Sequence, residues 1–160
     1  MTLKQLLTLS LLLLLTACSK TKPSAQKDVI YPERLKPNES IVVNYDSQGC
    51  FHHRSNVLVF NKESVTVYKN INQRNQKYDK KKKIGTVKLT SSDQARLKAL
   101  FQYYYQGEKK GNCTTKEEIE MKYYIDKTLI SSKKVIDSPC DRLRPKNLTR
   151  FDEFVIRAKR

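Results

Sequence analysis

The sequence predicts an α+β domain: a small, mostly antiparallel β-sheet with two amphipathic helices packed on one side. Three observations predict it. Short stretches rich in β-branched and aromatic residues recur between residues 41 and 89 and again between 118 and 136, with turn residues between them. Two other stretches, 91–106 and one from about Asn147 to the end, place their apolar residues at helical spacing instead. No connection needs the long parallel crossover of a nucleotide-binding fold.

In chain order, Ile41-Val42-Val43-Asn44-Tyr45 is the first strand, followed by a turn from Asp46 to Gly49. Val57-Leu58-Val59-Phe60 is apolar on both faces, as a central strand is. Asn61 to Glu63 turn the chain into Val65-Thr66-Val67-Tyr68, which makes a hairpin. Residues 70–82 are polar, Lys-rich and aperiodic, which predicts a mobile loop. The strand pattern resumes from Ile84 to Leu89, with Gly85 marking a bulge.

Ser91, with Gln94 three residues on, fits a helix-capping box, and Gly107 stands where a C-terminal cap belongs. Between them Leu97, Leu100, Phe101 and Tyr104 share one helical face. The run Tyr103-Tyr104-Tyr105 would suit a stacking platform for sugars or bases, but helical spacing assigns Tyr104 to the core with its neighbours flanking it. Glu118 to Ile125 alternates polar and apolar, so it is a half-buried strand with Glu117, Glu118 and Glu120 assigned to solvent. Leu129-Ile130 and Val135-Ile136 belong to its hairpin partner, with the turn at Asp126-Lys127, and Pro139-Cys140 ends the pair. In the last helix Leu148, Phe151, Phe154, Val155 and Ala158 face inward. Asp152 and Glu153 near its start and Arg157, Lys159 and Arg160 at its end suit the helix dipole.

The N-terminus carries an address. Lys4 precedes an apolar run from Leu6 to Ala17. That run is far shorter than the roughly 20 residues a membrane-spanning helix needs, and it has the form of a signal-peptide apolar region. It ends in Leu15-Thr16-Ala17-Cys18. This ending resembles the lipobox of bacterial lipoproteins, the resemblance covering residues 1–18. It implies that residues 1–17 are cleaved as a lipoprotein signal peptide. It also implies that Cys18 receives a diacylglyceryl group, that the new amine takes a fatty acid such as palmitate, and that the protein is held in the bacterial cell envelope. Two or three acyl chains, at about 0.8 kcal/mol per buried CH₂, anchor stably where one does not. Ser19, standing where Asp would favour the inner membrane, implies the outer membrane, with the domain facing the periplasm or the cell surface. Residues 18–39 hold three of the five prolines and little apolar periodicity, so the lipidated Cys leads into a flexible tether of reach near ~25 Å. A single α+β domain follows over residues 40–160.

Charge narrows the partners. The chain carries a formal +16; removing 17 residues and the one charge of Lys4 leaves 143 residues with 31 Lys+Arg against 16 Asp+Glu. The tract 69–83 holds seven cations and one anion, and 142–160 seven cations and two anions. Such a field attracts anionic surfaces and repels basic proteins. Export excludes nucleic acid and leaves phospholipid headgroups, glycolipid phosphates and acidic proteins as partners. The plain alternative is a Lys-rich face that only solubilises the domain. Lys80, Lys81, Lys82 and Lys83 are the candidate contacts to an anionic surface.

With Cys18 acylated, Cys50, Cys113 and Cys140 remain, an odd number in a compartment that permits disulfides. Cys113 and Cys140 lie almost equally far from the Asp126-Lys127 turn, so a hairpin would set them side by side. A disulfide there closes a 28-residue loop and stabilises by roughly 3 kcal/mol on the chain-entropy model.

One local cluster suggests chemistry. Gly49-Cys50-Phe51-His52-His53 contains both histidines of the chain, and on an extended segment Cys50 and His52 share a face opposite His53. A thiolate with its base, or two metal ligands, would need that pairing. Neither is complete: no second His/Cys pair stands at ligand spacing, and only Asp46 or Asn56 offers an orienting group. The simpler reading is a small buried thiol beside surface imidazoles. Phosphate-binding loops, dinucleotide fingerprints and hydrolase elbows are missing from the sequence, so no cofactor is implied and no catalytic residue is assigned.

Three functions fit. The first is a non-catalytic, periplasm-facing binding module of the inhibitor or immunity type, acting on an acidic target rather than a basic one such as lysozyme. The second is an envelope-organising protein that holds anionic lipid or glycolipid phosphates through its basic tracts. The third is a thiol or metal enzyme using Cys50 and His52.

Overall fold

The computed structural model describes residues 29–49, 52–71, 80–106, 114, 116–137 and 150–160. Six strands form one antiparallel sheet: β1 (Glu39–Gly49), β2 (His52–Phe60), β3 (Ser64–Ile71), β4 (Lys80–Lys88), β5 (Lys116–Ile125) and β6 (Thr128–Asp137). Their order across the sheet is β4-β3-β2-β1-β5-β6. Two helices, α1 (Ser91–Tyr105) and α2 (Phe151–Arg157), and a 3-10 turn at Pro32–Arg34 complete the described elements. The predicted class therefore stands as a small, mostly antiparallel α+β fold with two helices.

The strands β1 to β4 form a meander, and α1 then returns the chain from one edge so that β5 pairs with the free side of β1. Alternation decides which face each strand buries. Ile41, Val43, Tyr45 and Ser47 of β1 are buried, in register with Phe60, Leu58, Asn56 and Arg54 of β2 and with Tyr123, Met121, Ile119 and Glu117 of β5. The expected turn at Asp46 to Gly49 is absent because β1 continues through it. Asp46 pairs with Ser55 on one side and Glu118 on the other, and two ladders override the polar composition of this stretch.

Sheet and helices share one core. The ring of Phe60 meets Phe101 of α1 edge-on at 5.9 Å, and Phe154 and Phe151 of α2 at 6.1 and 6.3 Å. Tyr104, predicted as core, is 1% exposed and stacks on Phe151 with its ring tilted by only 13°. Such pairs add about 0.5–1.5 kcal/mol each beyond the area they bury.

The β5–β6 hairpin turns at Asp126-Lys127 as its spacing predicts, and both residues have positive φ, 47° and 69°. That left-handed pair matches the twist of a two-residue hairpin loop. The turn is pinned from outside, because Asp126 N–H donates to the Asn38 carbonyl and Asn38 Nδ2 donates to the Asp126 carboxylate.

Several expectations shift. The α1 cap is Thr90 with Asp93, one residue before the predicted Ser91 box, and Gln94 instead donates to the Lys62 carbonyl. Gly107 lies outside the described residues. The predicted loop at 70–82 is narrower: β3 runs to Ile71, and Lys80 to Lys83 begin β4, paired with Ile71, Asn70, Lys69 and Tyr68. Ladder hydrogen bonds hold these lysines extended despite their composition. The expected tether also ends early, since Tyr31 and Leu35 are buried in the core, and the Tyr31 ring lies beneath the cations of Arg34 and Lys98. In the last helix, Asp152 and Glu153 occupy the first turn and Arg157 the last, as predicted.

The bulge expected at Gly85 falls beside it. Val67 faces Gly85 and Tyr68 faces Lys83, so Ile84 is the extra residue. Gly85 itself is needed for space: a Cβ there would collide with the Ala158 carbonyl at the end of α2.

Candidate functional site

Cys18, Cys50, Cys113 and Cys140 lie outside the described residues. His52 stands opposite Gly49 in β2, and its side chain is not among those described. His53 is exposed, with Nε2 3.7 Å from Asp46 Oδ1. Among the described residues no three His, Cys, Asp or Glu side chains come together as metal ligands. Lys81, Lys82 and Lys83 are exposed along edge strand β4, and Lys69 faces Lys82 directly.

On the face opposite the core, the carboxylates form a ladder with cations. Glu120 accepts from Asn44 and pairs with Lys122, both at 2.8 Å, while Glu118 pairs with Lys134 at 2.6 Å. Burial works against the Glu120 charge, but its bonds from Lys122 and Asn44 outweigh that and hold the carboxyl below its ordinary value. These acids are engaged structurally.

Glu117 departs from the expected solvent position. It is 3% exposed, because β5 starts at Lys116 and Glu117 is in phase with buried Ile119 and Met121. The same alternation that predicted the strand contained this signal. Its carboxylate accepts from Tyr45 at 3.1 Å, Tyr104 at 3.2 Å and the Arg150 guanidinium at 2.7 Å. Asp137, also buried, is its partner across β6. Burial, and then the Glu117 and Asp152 carboxylates, push the Tyr45 hydroxyl well above its usual range, so it stays a donor. This cluster ties β1, α1, β5 and the start of α2 into one hydrogen-bonded unit.

A groove lies beside β6. It has a volume of about 1030 Å³ and draws on the N-terminal segment (Ile30, Tyr31), the end of α1 (Tyr105, Gln106), Tyr123 of β5 and Ile130 to Lys133 of β6. Three tyrosines therefore meet there from three distant parts of the chain. Lys133 Nζ donates to the Tyr105 carbonyl at 2.6 Å and sits 5.0 Å from the centre of the Tyr105 ring. The Tyr105 hydroxyl is raised by burial and then by the neighbouring Tyr31 hydroxyl. A bulge shapes this wall: Tyr123 faces Ser131 and Tyr124 faces Leu129, so Ile130 is the extra residue, re-aimed and 52% exposed. Nothing in the sequence flanking Ile130 announces that bulge. Aromatic walls with a few polar groups and one cation suit binding, and among the described residues the groove's lining includes no carboxylate.

No protein-family model, no curated protein and no solved structure matches the chain.

Proposed function

We propose that this is an outer-membrane lipoprotein, lipid-anchored at Cys18, whose domain is a non-catalytic binding module of the inhibitor or immunity type. One observation carries the binding-module reading: the groove beside β6, walled by Tyr31, Tyr105, Tyr123 and Ile130. A concave site with aromatic walls and placed polar groups is what ligands and partner segments occupy. Two helices packed on one side of the sheet belong to the same reading, supported by Phe60, which meets rings of both α1 and α2. The envelope assignment rests on Leu15-Thr16-Ala17-Cys18. Acyl chains are then the anchor, and no helix among the described residues is long and apolar enough to cross a membrane.

The test immobilises the full chain in detergent against envelope extracts, beside a Tyr105→Ser/Ile130→Ser variant, which leaves the buried Tyr31 in place. One acidic protein retained stoichiometrically by the parent and lost by the variant is the expected result. Equal retention by both overturns the groove as the binding surface. Separately, Cys18→Ala should abolish incorporation of labelled palmitate.

The lysines of β4 favour a second reading, in which the domain also holds anionic lipid or glycolipid phosphates. Lys69 opposite Lys82 is a like-charge pair that weakens the ladder, and an anionic surface would offset that repulsion. Converting Lys80 to Lys83 to Gln should then strip the domain from anionic vesicles. Unchanged binding rejects this reading.

A further inference from the structure

We infer that the groove takes up an extended, acidic segment of a partner protein, which adds to the open side of β6 as a further strand; this rests on reading the groove as the binding surface.

The strand β6 ends the sheet, with β5 its one neighbour among the described residues. An edge strand offers unpaired N–H and C=O groups on its outer side, a ready template for another chain. Four successive residues, Ile130, Ser131, Ser132 and Lys133, line the groove. Adjacent side chains of a strand point to opposite faces, so a groove lined by four in a row reaches from the Tyr123 side of the sheet to the strand's open side. Its length there, about 13 Å at ~3.3 Å per residue, seats roughly four residues of an incoming strand.

The defences this edge carries are engaged elsewhere. Bulges and lysines normally turn a partner strand away, and β6 has both, yet Lys133 is tied to the Tyr105 carbonyl, Lys134 to Glu118, and the bulge presents an isoleucine. Of the four large apolar side chains exposed among the described residues, Leu129 and Ile130 stand together at the start of β6, 49% and 52% exposed. Tyr31, Tyr105 and Tyr123 then supply pockets for alternate side chains of the added strand, which is how strand-addition sites gain specificity.

Charge selects the occupant. Among the described residues the lining holds Lys133 and no acid, Arg34 and Lys98 sit on the Tyr31 ring, and the whole chain carries +16. A second copy of this chain would bring another +16 and be repelled. An acidic segment is drawn in.

The probe is a fluorescent ten-residue peptide of alternating Glu and Val, titrated by anisotropy onto the full chain in non-ionic detergent at low salt. Replacing every Glu by Lys should weaken binding at least tenfold. N-methylating the Val amides in one peptide and the Glu amides in another should abolish binding in one and spare it in the other, because one edge of the peptide faces β6. The Tyr105→Ser/Ile130→Ser variant should bind at least tenfold more weakly, and an Ile156→Ser variant, altered at an exposed residue outside the described lining, within twofold of the parent. No binding, binding that survives both methylations, or binding that the Tyr105→Ser/Ile130→Ser variant keeps overturns strand addition at β6. If envelope protein is still captured through Tyr105 and Ile130 in that case, the groove reading stands without it; if that capture fails too, both fall.

Discussion

Arg157, in the last turn of α2, donates to both oxygens of Asp93 in the first turn of α1, at 2.6 Å from Nη1 and 3.1 Å from Nη2. The same carboxylate accepts from the Thr90 backbone at 2.9 Å, so one buried acid caps one helix and holds the end of the other. The Arg157 fork, aided by the Thr90 bonds and opposed by burial, lowers the Asp93 carboxyl to about 2. A depressed carboxylate contributes stability that is present above its ordinary titration range and lost as pH falls through the folded value. Asp93→Asn should therefore cost about 2 kcal/mol at neutral pH. Urea denaturation across pH should show that difference shrinking between about pH 4 and pH 2. A difference that stays constant over this window contradicts the assignment.

Glu117 and Arg150 should respond unequally to mutation. Glu117 is nearly sealed, whereas the Arg150 side chain is 40% exposed and can recover water. Glu117→Gln keeps an acceptor for one of Tyr45 and Tyr104 and offers the other an NH2 that its hydroxyl can accept from, so it should cost about 1 kcal/mol. Arg150→Met leaves a buried carboxylate without its cation and should cost about 3 kcal/mol. Equal losses in thermal denaturation would mean the carboxylate draws little from Arg150.

Gly85 should reject even a methyl group. The Ala158 carbonyl occupies the space a Cβ would need, so Gly85→Ala must displace the end of α2, at about 1–3 kcal/mol. Truncation after Arg157 should recover most of that loss. An equal penalty in the full and truncated chains would place the strain elsewhere.

Lys127 sits at φ 69°, a conformation a lysine adopts at a cost and glycine adopts freely. Lys127→Gly creates Asp-Gly, the pairing such turns favour, and should stabilise by about 0.5–1 kcal/mol in denaturant titration. A loss of stability would show that the Lys127 side chain contributes more than its backbone costs.

Much of the fold was legible because β5, β6, β3 and α1 each announce themselves by local period and by their turns. Asp126 and Lys127 fall where residue counting places them. What local pattern hides is pairing across distance. Asp46 to Gly49 read as a turn until Glu118 and Ser55 close on them, and Tyr31 read as tether until the cations of Arg34 and Lys98 cover it. The groove was illegible for the same reason: Tyr31, Tyr105 and Ile130 are neighbours only after the sheet is assembled. Glu117 alone was available in advance, two residues before Ile119.

Cys113 and Cys140 lie beyond the described ends of the hairpin, whose last pair is Glu117 with Asp137. We expect a disulfide between them, closing a loop of 28 residues. Mass spectrometry of unreduced digests should recover the two joined peptides, and reduction should cost roughly 3 kcal/mol. Recovery of Cys50 joined to either one would refute the pairing.

The strand β1 lies inside the sheet, yet its two ladders are completed at very different times in the life of the chain. Its partner β2 follows at once, whereas Glu39 waits for Ile125 and Tyr45 for Ile119. A nascent chain emerging amino end first can complete the meander early but must carry β1 half-paired until its final third appears. Such non-local closure is slow, and a half-paired strand rich in Ile, Val and Tyr invites any passing strand in the meantime. Biogenesis of this protein therefore hangs on guarding β1, and a chain halted before Lys116 is the form that a holding chaperone should bind and a protease should find.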